Sequence, residues 1–317
     1  MSIIGESIFH LLFVSYFDYG GRNMGQFFQQ LINGLSIGSI YALIALGYTM
    51  VYGIIKLINF AHGEMYMLGA YIGFLCMSYF NLGIIPSLII SMALSAVIGV
   101  VIERVAYRPL RNSTRIAALI TAIGVSLLMQ YSVMNIMGAQ VQTYPNITKI
   151  DPIIIGDGAV RIAPQQMYIF ITTIVLMIVL QFIVKKTKMG RAMRAVSVDA
   201  DAARLMGINV DNTISFTFAL GSALAAAAGI LVGIYYNSIG PLMGTLPGLK
   251  AFIAAVFGGI GVIPGAMIGG FAIGIIETFV GAIGFSLYKD ALVYLILILV
   301  LVFKPAGLLG KNKKEKV

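Results

Sequence analysis

Between Phe27 and Ile102 the chain carries only three side chains of the Asp, Glu, Lys, Arg or His types, namely Lys56, His62 and Glu64. A stretch so long and so nearly free of charge cannot supply the solvated surface that a water-soluble fold requires. It can be accommodated in a bilayer, which roughly 20 apolar residues cross as a helix that satisfies its own backbone hydrogen bonds. The rest of the chain follows suit. Hydrophobic residues make up 59%, charged residues 10%, and mean hydropathy is +0.96, against about a quarter charged in soluble domains. The fold class is therefore all-α, a polytopic integral membrane protein.

Apolar runs bounded by breakers predict spans at about 27–52, 64–81, 84–103, 116–137, 166–184, 213–236, 251–285 and 288–309. The run 251–285 is too long for one ordinary span and contains GGIGVIPG. Its Gly258, Gly259, Gly261, Pro264 and Gly265, with Gly269 beyond, mark a broken or re-entrant helix and candidate hinge or packing positions. The total is about 8–9 transmembrane helices. Gly34 and Gly38 form a G-x-x-x-G pair, and Ala225–Gly229 is a run of small side chains. Such faces let helix backbones approach closely in lipid.

The formal net charge of +9 says more about orientation than about nucleic acid. The basic residues gather in short segments between apolar runs, as the positive-inside rule describes. Glu103–Arg115, Lys185–Asp211 and the tail at 311–317 read as cytoplasmic. Asp211 and the tail then share a side, which demands an even number of crossings between them. Residues 138–165 read as an outer loop. Residues 1–23 make a poor signal peptide, since they lack a basic n-region and an A-x-A-like cleavage site; they read as an interfacial or fraying segment, or as an N-terminal extension ahead of a true start at Met24.

Two segments carry chemistry. In LINFAHGEMYM, Asn59, His62, Gly63 and Glu64 cluster inside apolar sequence. Intramembrane ionisable groups are costly and mark a site hypothesis by default. The stretch reads either as a turn whose Lys56 and Glu64 snorkel to an interface, or as a helix break beside a solute path. One His and one Glu are an incomplete ligand set, and the lone Cys76 supports neither a disulfide framework nor a Cys-rich metal site. No metal or cofactor is expected. In KKTKMGRAMRAVSVDADAARLMGI a basic run precedes a short helix that Ser197 or Asp199 can cap and Gly207 can stop. Ala202, Leu205 and Met206 share one face of it. That face suits the headgroup layer or a groove on a partner.

DAARLMG (Asp201 to Gly207) is similar to the E-A-A-x-x-x-G loop of ABC-importer permeases, with Asp in place of Glu. Four longer stretches extend the likeness in order, from NGLSIGSIYALIALGYTMVYGIIKLINFAHGEMYMLGAYIGF through ERVAYRPLRNSTRIAALITAIGVSLLMQ and MGRAMRAVSVDADAARLMGIN to KAFIAAVFGGIGVIPGAMIGGFAIGIIE. From about Met24 onward the chain resembles the LivH-type permeases of branched-chain amino acid ABC importers. The resemblance implies a permease domain over 24–310 in a bacterial inner membrane, with a cytoplasmic C-terminus. It implies a coupling loop at 185–211 in which Gly190, Arg191, Arg194, Asp201, Ala202, Ala203, Leu205 and Gly207 meet an ATPase. It also implies as partners a second, homologous permease in a heterodimer, two ATP-binding subunits and a substrate-binding protein, with no nucleic acid. The chain has no G-x-x-x-x-G-K-[ST] phosphate loop, so energy is expected from a partner and no enzymatic activity from this chain. Related permeases that carry urea or short amides share the N-x-A-H-G-E stretch, so the cargo stays open between these and leucine, isoleucine or valine. A secondary transporter is a further rival, since broken helices and intramembrane charge occur there too. A membrane-embedded enzyme fits less well, because paired carboxylates, H-E-x-x-H and G-x-S-x-G are all missing.

Overall fold

The computed structural model describes residues 22–57, 59–111, 113–145, 151–155 and 160–310. The expected N-terminal extension, as far as residue 21, and the basic tail at 311–317 lie outside the described residues.

Among the described residues the α-helices run in chain order as α1 (Arg22–Ile55), α2 (His62–Ser78), α3 (Ile84–Ile102), α4 (Arg115–Met137), α5 (Pro164–Lys186), α6 (Lys188–Val198), α7 (Ala200–Leu205), α8 (Val210–Tyr236), α9 (Thr245–Gly258), α10 (Ile263–Ala282) and α11 (Lys289–Phe303). Seven helical segments, containing α1, α3, α4, α5, α8, α10 and α11, are long and apolar enough to cross a membrane. The other two membrane-depth helices are short. At about 1.5 Å per residue, α2 (17 residues) and α9 (14 residues) span about 25 and 21 Å, less than the roughly 30 Å hydrocarbon core. Neither is long enough to cross that core as a helix alone.

Small residues decide which helices touch. The backbone of α1 lies against that of α10. A Cβ on Gly34 would meet Ile275 Cα, one on Gly38 would meet Phe271 Cα, and one on Gly270 would meet Ala42. The Ala225–Gly229 run of α8 receives α2 in the same way, with Gly69 against Ala226 and Gly229 against the Tyr66 carbonyl. Association in lipid has no hydrophobic drive, so backbone proximity supplies the van der Waals contact instead. The segments containing α1 and α8 are consequently mostly buried, whereas those containing α3, α4, α5 and α11 present most of their apolar surface outward.

The run at 251–285 divides as its glycines predict, although the first piece begins earlier, at Thr245. Gly259 and Gly261 adopt φ values of +109° and +87°, which side-chain-bearing residues rarely tolerate. Pro264 sits in the first turn of α10, where its missing N–H costs nothing. Gly258 and Gly265 pack backbone to backbone, and Gly269 lies on the Ala254 carbonyl. Leu308 and Leu309 then donate backbone hydrogen bonds to Phe257 O (2.8 Å) and Gly258 O (3.0 Å). These bonds tie the segment after α11 to the α9–α10 break. Four helices, α8 to α11, thus lie between Asp211 and that segment.

The two faces of the molecule differ. One carries two small antiparallel ladders: β1 (Gln142–Thr143) pairs with β4 (Ser238–Ile239), and β2 (Ile153–Ile155) with β3 (Val160–Ile162). The opposite face carries the C-terminal end of α1, the helices α6 and α7, and the α9–α10 break.

Candidate functional site

The polar cluster of LINFAHGEMYM lies at a helix break. Helix α1 ends at Ile55, Lys56 takes φ +53°, and α2 starts at His62. The His62 ring occupies the space beside Gly47, eight residues inside the end of α1. That is about 12 Å below the face at 1.5 Å per residue. The N-terminus of α2 is therefore held at depth, and the N-terminus of α9 meets it there. A Cβ on Gly63 would collide with the Gly244 carbonyl and crowd Gly248 Cα. From this contact α2 runs toward the ladder face and α9 toward the other. Two partly positive helix ends thus converge inside the protein.

The four predicted residues sit at or near this junction. Asn59 Oδ1 accepts a 2.5 Å hydrogen bond from the Tyr107 hydroxyl. His62 stacks edge-on against Tyr48, with ring centroids 4.7 Å apart. Gly63 makes the close approach already described. Glu64 does not snorkel. It is buried, and its Oε1 accepts from Ser126 Oγ (3.0 Å) and Gln130 Nε2 (2.7 Å) on α4. Its Oε2 points toward Gly244 without a hydrogen-bond partner. The same Gln130 donates to Thr245 Oγ1 (3.1 Å), so one amide joins the two half-helices. Lys56 alone of the cluster is exposed.

Toward the face opposite the ladders, a second network links α3 to α8. Helix α3 continues as a π turn over Glu103–Tyr107 and a 3-10 turn over Arg108–Leu110. Glu103 is fully buried, receives Ser215 Oγ at 2.6 Å, and pairs with Arg111. Arg111 Nη1 also reaches Asp211 Oδ1 at 2.5 Å, and Arg108 pairs with the same carboxylate. Asp211 immediately follows the α6–α7 loop. Two side-chain groups, Asp211–Arg111–Glu103 and Tyr107–Asn59, are carried by the same π turn, which stands between the start of α8 and the break before α2.

Within the loop, Thr187 caps α6 by accepting from Gly190 N (3.0 Å). Gly190 packs on the Ile183 and Val184 carbonyls, and Arg194 donates to Val184 O. The cap of α7 is Asp199, whose carboxylate accepts from Asp201 N and Ala202 N, both at 2.9 Å. Gly207 stops it at φ +82°. Ala203 faces inward. Arg191, Asp201, Ala202, Leu205 and Met206 are exposed, with Leu205 at 88% and Met206 at 83%. Two large apolar side chains held this far into solvent form a surface that a partner can cover.

The sequence offers Glu277 and Lys250 as weaker candidates, each read as a buried ion pair or as snorkelling to an interface, and the structure pairs them with each other. Lys250 Nζ lies 2.8 Å from Glu277 Oε1 and 2.6 Å from Asp290 Oδ1. Lys289 Nζ is 3.4 Å from Glu277 Oε1, and the Tyr41 hydroxyl donates to Glu277 Oε2 at 2.8 Å. These groups border a cavity of about 220 Å³. The signal available in the sequence was weak, because the charges sit on three different helices. The hinge candidates Gly258, Gly259, Gly261, Pro264, Gly265 and Gly269 line the α9–α10 break and none borders this cavity.

Residues 30–301 match the family model described as branched-chain amino acid transport system, permease component. BraD of Pseudomonas aeruginosa, named a high-affinity branched-chain amino acid transport system permease protein, is 44% identical over 302 residues, covering 92% of this chain and 98% of that protein. LivH of Escherichia coli K12 is 44% identical over 306 residues with the same coverage. A ribose import permease, RbsC of Haemophilus influenzae, is 31% identical over 165 residues, half of each chain.

Proposed function

This chain belongs to the family of permease components of branched-chain amino acid transport systems, and from that premise we propose that it forms one half of the membrane path of an ATP-driven importer for leucine, isoleucine and valine. The observation that carries the proposal is the near full-length likeness to permeases named for that cargo. The capped α6–α7 loop adds physical support, since it offers Leu205 and Met206 to a partner.

A binding protein delivers the amino acid on the ladder face. A second, homologous permease completes the path, and two ATPase subunits dock on the α6–α7 face. This chain lacks a phosphate loop, so it hydrolyses nothing itself. ATP binding in the partner displaces α6 and α7. That displacement drives transport only by stabilising one helix arrangement over another, because coupling is a free-energy difference between states. The contacts from Asp211 to Glu103 and from Tyr107 to Asn59, joined by the π turn, give the displacement a route to the break before α2, where Asn59, His62, Gly63 and Glu64 shape the path. The α9–α10 break is the second place where the arrangement can change.

The test is uptake of labelled leucine at low concentration in cells lacking only this chain, with and without its restoration. Loss followed by rescue is the expected result. Unchanged uptake, in cells with no other high-affinity leucine system, would remove branched-chain amino acids as the cargo. The same assay with urea and short amides then decides whether the import reading survives with another cargo.

A further inference from the structure

We propose that the cavity between α1, α8, α9, α10 and α11 binds a zwitterionic aliphatic amino acid, with Lys250 and Lys289 facing its carboxylate and Glu277 and Asp290 its ammonium. The proposal deepens the function given above and rests on an amino acid being the cargo.

A membrane protein rarely holds four charges together without use. Each buried ion loses hydration worth several kcal/mol unless it is paired and hydrogen-bonded. Fixing α9 to α10 needs only the Lys250–Glu277 pair, which is buried and already completed by the Tyr41 hydroxyl. Asp290 and Lys289, side chains 38% and 43% exposed, extend that pair toward the mouth of the cavity. Leu246 and Tyr236 stand half-open beside them.

The balance of the cluster selects the ligand. Two cations and two anions sum to zero, so a zwitterion exchanges partners with them one for one and leaves no charge uncompensated. A lone anion or cation leaves one group unpaired, which costs most at the buried Lys250 and Glu277. Urea brings no charge at all. The rest of the lining combines Tyr41, Tyr66 and Tyr236 with Ile37, Ile40, Val232, Leu246 and Pro247, and its aliphatic part accepts a branched hydrocarbon side chain. A volume of about 220 Å³ is below the roughly 300–1,000 Å³ of drug-sized sites, and so is scaled for a small solute. A purely structural staple of α9 to its neighbours predicts no response to any ligand.

The experiment uses the detergent-purified membrane assembly containing this chain, without binding protein. Thermal unfolding is followed with leucine, with leucinol (no carboxylate) and with 4-methylpentanoate (no ammonium). Leucine is expected to raise the midpoint in a saturable way and the two analogues to have little effect. In Lys289→Gln and Asp290→Asn, both at partly exposed positions, the leucine concentration for half-maximal protection should rise about tenfold or more, the scale of one lost charged hydrogen bond. Absence of protection in the wild type, equal protection by leucinol, or unchanged protection in both variants would each overturn the site. Rescued leucine uptake in cells combined with no protection here would sink this site alone and leave the importer reading intact.

Discussion

Glu103 and Asp211 both hold Arg111, yet burial separates their expected contributions. Glu103 is fully enclosed and also accepts from Ser215. Losing its charge leaves a buried hydroxyl and a guanidinium short of an acceptor, at a cost of about 1–3 kcal/mol. Asp211 is 38% exposed, so solvent screens its pairs and their worth falls to about 1 kcal/mol or less. Glu103→Ala should therefore lower the thermal midpoint of the purified assembly clearly more than Asp211→Ala. Equal shifts would mean that the network from α8 to the π turn contributes nothing beyond surface pairing. None of this was legible in ERVAYRPLRNSTR, which reads as a basic loop. Glu103 finds Ser215 across the fold, 112 positions away, and no local pattern encodes that meeting.

At the scale of elements, periodicity and punctuation carried far. The cap and stop of α7 were readable because Asp199 and Gly207 act on their own neighbours, the first by accepting adjacent N–H groups and the second by taking φ +82°. The split at 251–285 was readable for the same reason. The junction of α2 and α9 was not, although its residues were singled out. Asn59, His62, Gly63 and Glu64 announce a break, but its meeting with Gly244 and Gly248 depends on how four helices pack. Nor could the pattern choose between a snorkelling and a buried Glu64; Ser126 and Gln130 made that choice. The exposed face of α7 yields a direct prediction. Leu205 touches solvent over most of its surface, so Leu205→Asp should leave membrane insertion and expression unchanged. It should reduce copurification of the ATPase subunits and leucine uptake together, by about tenfold if the side chain is a central contact. Full uptake with normal copurification would place the docking contact elsewhere.

The arrangement of the whole molecule rests on parity and charge acting together. Helix ends were offset from expectation by a few residues at several points, and Thr245 rather than residue 251 opens α9. Such shifts do not alter parity, because each traverse needs only one apolar segment and one turn. Lys185–Asp211 holds six basic and three acidic residues, so the positive-inside rule predicts that loop in the cytoplasm and the ladder face outside. Cysteine labelling tests this without a background signal, since the single native cysteine, Cys76, is buried. Val141→Cys stands on the ladder side at a 71% exposed position and Leu205→Cys on the α7 tip. A membrane-impermeant maleimide should react with the first in intact spheroplasts and with the second only in inverted vesicles stripped of the ATPase subunits. Reversal of that pattern would invert the molecule, putting α6 and α7 out of reach of any cytoplasmic ATPase and making import driven through them physically impossible.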